Sequence, residues 1–132
     1  MGDGEVVPLH LPGHTSDGMG FHIPHLSTLI VGALLPRADR PTRWDMPGGS
    51  LVEVVDSYKR MKRLNLSSIV PLQGPAIRGK SHVREVLDRH LAFYEEAVRN
   101  EGCPPASWDR PASTAVWLTP RSPWPLEEQE AV

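Results

Sequence analysis

Two stretches constrain this chain most. Residues 51–64 place Leu51, Val54, Val55, Tyr58, Met61 and Leu64 at spacings of three and four, and residues 81–99 do the same with Val83, Val86, Leu87, Leu91, Tyr94 and Val98. Each pattern is an amphipathic helix with one apolar stripe, and a stripe of that kind must be buried against another layer. Ser50, with Glu53 three residues on, is a capping-box start worth on the order of 1 kcal/mol, and Asn65 ends the first helix. The second stops at Asn100-Glu101-Gly102. At ~1.5 Å per residue it is about 27 Å long, enough to cover a whole sheet.

The remaining ordered sequence supplies such a sheet. Residues 5–11 (EVVPLHL) are strand-like, and Pro8 inside them requires an edge position or a bulge. Residues 18–23 (GMGFHI) and 26–31 (LSTLIV) are two further strands, with Pro24-His25 as a hairpin connection between them. Residues 68–72 (SIVPL) read as a short buried strand ending in the turn Gln73-Gly74-Pro75. Between the third strand and the first helix, Pro36, Pro41, Pro47 and Gly48-Gly49 interrupt every periodic run. The result is a loop of about 15 residues, a length usually tied to function. Trp44 and Met46 lie in it as residues able to line a cleft, although an isolated Trp more often pins its loop to the core.

Composition narrows the class. With 132 residues, 39% hydrophobic and 23% charged, the chain suits one α/β domain. A net charge of −2 gives no basic footprint for nucleic acid, and Lys59-Arg60-Met61-Lys62-Arg63 is the solvated side of the first helix. No apolar run approaches a membrane span, and the segment starting Met1-Gly2-Asp3 lacks the features of a signal peptide. The lone Cys103 rules out an intrachain disulfide, so a cytoplasmic location is expected. Beyond it, six prolines and Trp108, Trp117 and Trp124 make a Pro/Trp-rich tail. The expected organisation is a half domain over 1–102 and a tail over 103–132, partly ordered and then disordered after Leu126.

Chemistry at a definable spacing appears in one place. Pro12-Gly13-His14-Thr15 sets an imidazole on a tight turn after a strand, a natural position for a metal ligand. His10 precedes it on the strand and shares no face with it, and His22 and His25 flank Pro24; surface or hydrogen-bonded roles fit these better than ligation. Neither Ser16 nor Cys103 has a recognisable base and orienting acid, so nucleophilic catalysis is not expected.

The succession strand, Pro12-Gly13-His14-Thr15, hairpin, Val31-Gly32-Ala33, irregular loop, helix from Ser50, strand, Gln73-Gly74-Pro75 and long helix resembles the C-terminal half of a metallo-β-lactamase-fold hydrolase. The likeness covers about residues 5–98 and is nearest to thioesterase-like and nuclease-like members. It implies a mixed sheet with two main helices on one face, one half of an αβ/βα sandwich. Members of that superfamily bind two metal ions through a His-x-His-x-Asp-His motif, the histidine of Pro-Gly-His-Thr, a bridging aspartate and a final histidine. His14 matches the second of these elements, while the aspartate falls on Ala33, the final histidine on Gln73, and the His-x-His motif has no counterpart.

A zinc hydrolase needs about three protein ligands per ion with an open position for water, and a bridged pair needs a carboxylate. One histidine supplies neither. The resemblance therefore implies a non-catalytic remnant that acts as a binding or assembly module, with no cofactor as an isolated chain. The alternative is a zinc-dependent hydrolase completed by a separate chain bearing His-x-His, cleaving a thioester, ester or phosphoester. A half domain would also expose the inner face of its sheet, whose several hundred Å2 are worth on the order of 10 kcal/mol at ~25 cal/mol per Å2. A homodimer or a complementing chain is expected to cover it. A start codon set too far downstream would also give a chain that begins just before Pro12-Gly13-His14-Thr15, and sequencing the native N-terminus would check it.

Overall fold

The computed structural model describes residues 5–45 and 47–103. Met46 and the tail residues 104–132, with their three tryptophans, lie outside them. Five strands form one sheet: β1 (Val7–His10), β2 (Met19–Ile23), β3 (Thr28–Val31), β4 (Ser68–Val70) and β5 (Ile77–Arg78), in that spatial order. Helix α1 (Leu51–Arg63) connects β3 to β4, and α2 (Lys80–Arg99) follows β5. The β1–β2, β2–β3 and β4–β5 pairs are antiparallel and β3–β4 is parallel. A parallel pair needs a long crossover, and α1 provides it. The architecture is thus a mixed sheet with two helices on one face, as the resemblance implies.

Both helices bury the expected stripes. Val54, Tyr58 and Met61 of α1 and Val83, Val86, Leu87 and Tyr94 of α2 join Leu29, Val31, Ile69 and Ile77 of the sheet in one core. Ser50 caps α1 in extended conformation, its Oγ accepting from the N–H of Glu53 at 3.3 Å. The reciprocal arm of the capping box is replaced, because the N–H of Ser50 donates instead to the carbonyl of Gly13 at 2.8 Å. That bond ties the start of α1 to the His14 turn.

Four local details depart from the sequence reading. Pro24-His25 is part of a single 3-10 turn (Pro24–Leu26) closed by Ser27 at φ 49, not a two-residue hairpin loop. The strand expected over 68–72 pairs only as far as Val70, since Leu72 and Gln73 turn away to donate to the carbonyls of Leu35 and Pro36 at 3.0 and 2.8 Å. Ile77–Arg78 forms a short edge strand that two residues are too few to announce in sequence. Val98, expected on the buried stripe of α2, is 47% exposed, because Ala97 closes that stripe. Pro8, by contrast, sits where a proline in a sheet should, on the edge strand β1.

Candidate functional site

Strand direction decides where the chemistry gathers. Two antiparallel pairings in succession leave β1 and β3 running the same way, and β4 is parallel to β3. The segments bearing His14, Ala33 and Gln73 therefore all leave the sheet from the C-terminal ends of co-directional strands. In α/β sheets that end is where ligands bind.

The His14 turn is fixed from below by α1. Gly13 adopts φ 143, a backbone conformation that L side chains rarely take, and a Cβ there would lie 2.5 Å from Val54 Cγ2 and 2.7 Å from the Val54 backbone. Ser57 Oγ donates to the Pro12 carbonyl at 2.7 Å, adding a second tie to the same helix. Only glycine allows the turn to approach α1 this closely, whatever His14 does.

From above, His14 is held by the 34–49 loop. Its Nδ1 lies 2.9 Å from the Arg43 carbonyl and 3.0 Å from Thr42 Oγ1. A carbonyl only accepts, so Nδ1 carries a proton, and in the neutral form of the ring the lone pair is on Nε2. Ligating histidines are held in this way, with the second ring nitrogen donating to a backbone carbonyl. Thr42 Oγ1 donates to the Ala33 carbonyl at 2.8 Å, so one buried hydroxyl links the His14 and Ala33 positions. Gln73 is exposed, and only its backbone joins the loop, through Pro36.

A carboxylate does stand close by. Arg43 donates to both oxygens of Asp45, at 3.0 Å from Nε and 2.6 Å from Nη2. This hydrogen bonding holds the Asp45 carboxyl below the usual carboxylate range against a smaller opposing effect of burial, with a further downward pull from the Arg43 charge. Its oxygens are committed to the guanidinium, so it is no ready replacement for the carboxylate that Ala33 lacks.

Beneath the loop lies a buried polar cluster. His90 Nε2 is 2.7 Å from the Ala38 carbonyl, which makes Nε2 the protonated nitrogen. Nδ1 faces the hydroxyls of Tyr58 and Tyr94, each at 3.5 Å, the outer limit of a hydrogen bond. Tyr58 donates to the Leu34 carbonyl at 2.8 Å, and Tyr94 accepts from the Thr42 N–H at 2.9 Å. Burial drives the pKa of His90 down to about 4, against smaller upward effects of the Ala38 carbonyl and Asp39, so the ring is neutral at pH 7. Burial likewise pushes both tyrosine hydroxyls up. The cluster anchors the loop that holds His14. A signal for it exists in sequence, since His90 falls on the apolar stripe of α2 four residues before Tyr94.

The other candidates are dispersed. Trp44 packs against Phe93 and Tyr94, with ring centroids 6.2 and 6.0 Å away, and its Nε1 donates to the Gly102 carbonyl at 3.2 Å. It pins the loop to the end of α2. His10 Nε2 bonds the Ser16 carbonyl at 2.7 Å, and His25 and Cys103 are exposed. Among the described residues no three His, Cys, Asp or Glu side chains gather in a way that would hold a metal ion. The donors present do not fit a self-contained metal centre: His14 would supply a single ligand, Ala33 has no side-chain donor atom, and Gln73 offers a neutral amide. Among the described residues no helix is long and apolar enough to cross a membrane.

Comparison with known proteins gives the architecture a wider setting. No family model matches the chain. An uncharacterized protein of Aquifex aeolicus (strain VF5) is 43% identical over 61 residues, which are 46% of this chain and 28% of that protein. Among solved structures, TTHA1623 in a di-iron-bound form matches with a TM-score of 0.53 and 28% identity, over 61% of this chain and 40% of that one. The metallo-beta-lactamase family protein TTHA1429 from Thermus thermophilus matches with a TM-score of 0.55 and 18% identity, over 74% of this chain and 36% of that one. The fold is therefore part of a metallo-β-lactamase fold, and the chain spans less than half the length of each of these proteins.

Proposed function

We propose that this metallo-β-lactamase-like chain works as a non-catalytic binding or assembly module, corresponding to the C-terminal half of the fold with a degenerate metal site. The observation that carries this reading is Ala33. It stands beside His14, joined to it through Thr42 Oγ1, and it lacks the carboxylate that the resemblance requires there. Metal analysis of the purified chain after dialysis against zinc or iron(II) tests the proposal, combined with assays on thioester, ester and phosphoester substrates. The expected result is less than one ion per chain and no turnover. Stoichiometric metal together with turnover abolished by His14→Ala overturns it.

A second reading has its own support. His14 is held as a ligand would be, with Nε2 left as the lone-pair nitrogen, and the 28%-identical TTHA1623 was solved in a di-iron-bound form. Under this reading a separate chain supplies the His-x-His ligands and completes a zinc-dependent hydrolase. Metal retained only in the presence of such a chain, and lost on His14→Ala, would favour it over the first.

A further inference from the structure

Alternation along the strands sends Leu29, Ile69 and Ile77 towards the helices and their neighbours to the opposite side. On that outer face the registers Pro8↔Phe21, Phe21↔Ile30 and Ile30↔Val70 line up an apolar row across β1 to β4. Met19 flanks it on β2. Met19 and Phe21 are each 44% exposed and Ile30 is 40% exposed. The strands of β1 to β4 place no Lys, Arg, Asp or Glu on this face; Arg78, on β5, is the first charged residue reached. His10, Thr28 and Ser68 flank this row on the same face, but the row itself is apolar on the side away from the helices, as in a sheet covered twice.

We propose that the covering layer is a second copy of this chain, packed outer face to outer face. The reasoning rests on the assembly reading above and names its partner. The first argument is charge: a surface without Lys, Arg, Asp or Glu over four strands meets its own copy without setting such charges against each other. The second is symmetry. The cross-strand pair Phe21–Ile30 lies in the middle of the apolar row, so a two-fold axis there sets that row against its own copy, in the aligned manner of packed sheets. The area sets the strength. Four to five strands about 4.8 Å apart and about 15 Å long present roughly 300 to 350 Å2 of face per copy, less than half the ~800 Å2 per partner of a standard interface. The dimer is therefore a reversible one.

Sedimentation equilibrium of the full chain from about 1 to about 200 µM tests this, a range that spans a micromolar dissociation constant. The expected result is a monomer–dimer equilibrium that Phe21→Lys and Ile30→Lys each weaken at least about tenfold, with the helical circular dichroism of the chain retained. The two positions lie on different strands, so each variant serves as a readout if the other fails to fold. A wild-type monomer over the whole range overturns the proposal, as does a dimer that the folded variants leave unchanged. Failure of the assembly reading itself looks different: it appears as stoichiometric metal and turnover, whichever mass is found.

Discussion

Leu29 and Ile30 are neighbours on one strand, both aliphatic, and they meet opposite fates. Leu29 is 0% exposed beneath the helices and Ile30 is 40% exposed on the other side. The same holds across the sheet, where Gly20 is buried and Phe21 stands out. On the helix side the large apolar groups pack into one core, and the polar His90, Tyr58 and Tyr94 are hydrogen-bonded to one another or to loop carbonyls. The outer side carries an apolar row of its own and has no layer above it within the described residues. Hydrophobicity sets how much surface needs covering, and the placement of α1 and α2 sets which side receives it.

That contrast can be broken most sharply by paired truncations. Leu29→Ala should destabilise the chain by about 3 kcal/mol through lost burial and a residual cavity. Ile30→Ala should cost the dilute monomer less than about 1 kcal/mol, as surface substitutions do. Urea denaturation at low protein concentration measures both, and equal losses would mean that the outer face is sealed within a single chain.

Acid sharpens the picture of the helix side. His90 has a folded pKa of about 4 against an unfolded value of 6.5. The neutral ring is therefore the form that the fold selects, and its contribution is fully present above pH 6.5 and is lost as pH falls towards 4. At about 1.4 kcal/mol per unit this amounts to about 3 kcal/mol. Chemical denaturation at stepped pH should show the decline, and His90→Gln should flatten it; an unchanged slope would place the titration elsewhere.

The smallest effect concerns the join between helix and turn. Ser50→Ala removes the side-chain cap of α1 but leaves the Ser50 N–H on Gly13, so a loss of about 1 kcal/mol is expected. Thermal melts of the two proteins would register it, and no shift would show that the Gly13 bond alone secures the helix start.

Much of this fold is legible in sequence because each signal is local. The stripe from Val54 to Met61, the cap at Ser50 and the edge position forced on Pro8 all follow from spacing or from a missing N–H. Ile77–Arg78 does not, since a two-residue strand has no period and exists only because Ile69 is opposite it. The candidate site divides in the same way. His14 is visible as an imidazole on a turn, but its tautomer is set by Arg43, 29 residues away. Thr42 carries no motif at all, and its role arises from meeting Ala33, His14 and Tyr94 at once.

The sequence by itself determined the class of the fold, the two helices and the lone imidazole on a glycine turn, because periodicity, capping and backbone restriction act over a few residues. Only the tertiary structure decided that Gly13 is pressed against Val54, that His90 lies sealed under the loop and that the row through Phe21 and Ile30 faces outward. Those outcomes depend on which layers meet in space, and an apolar residue reads the same in sequence whether its side of the sheet is covered or bare.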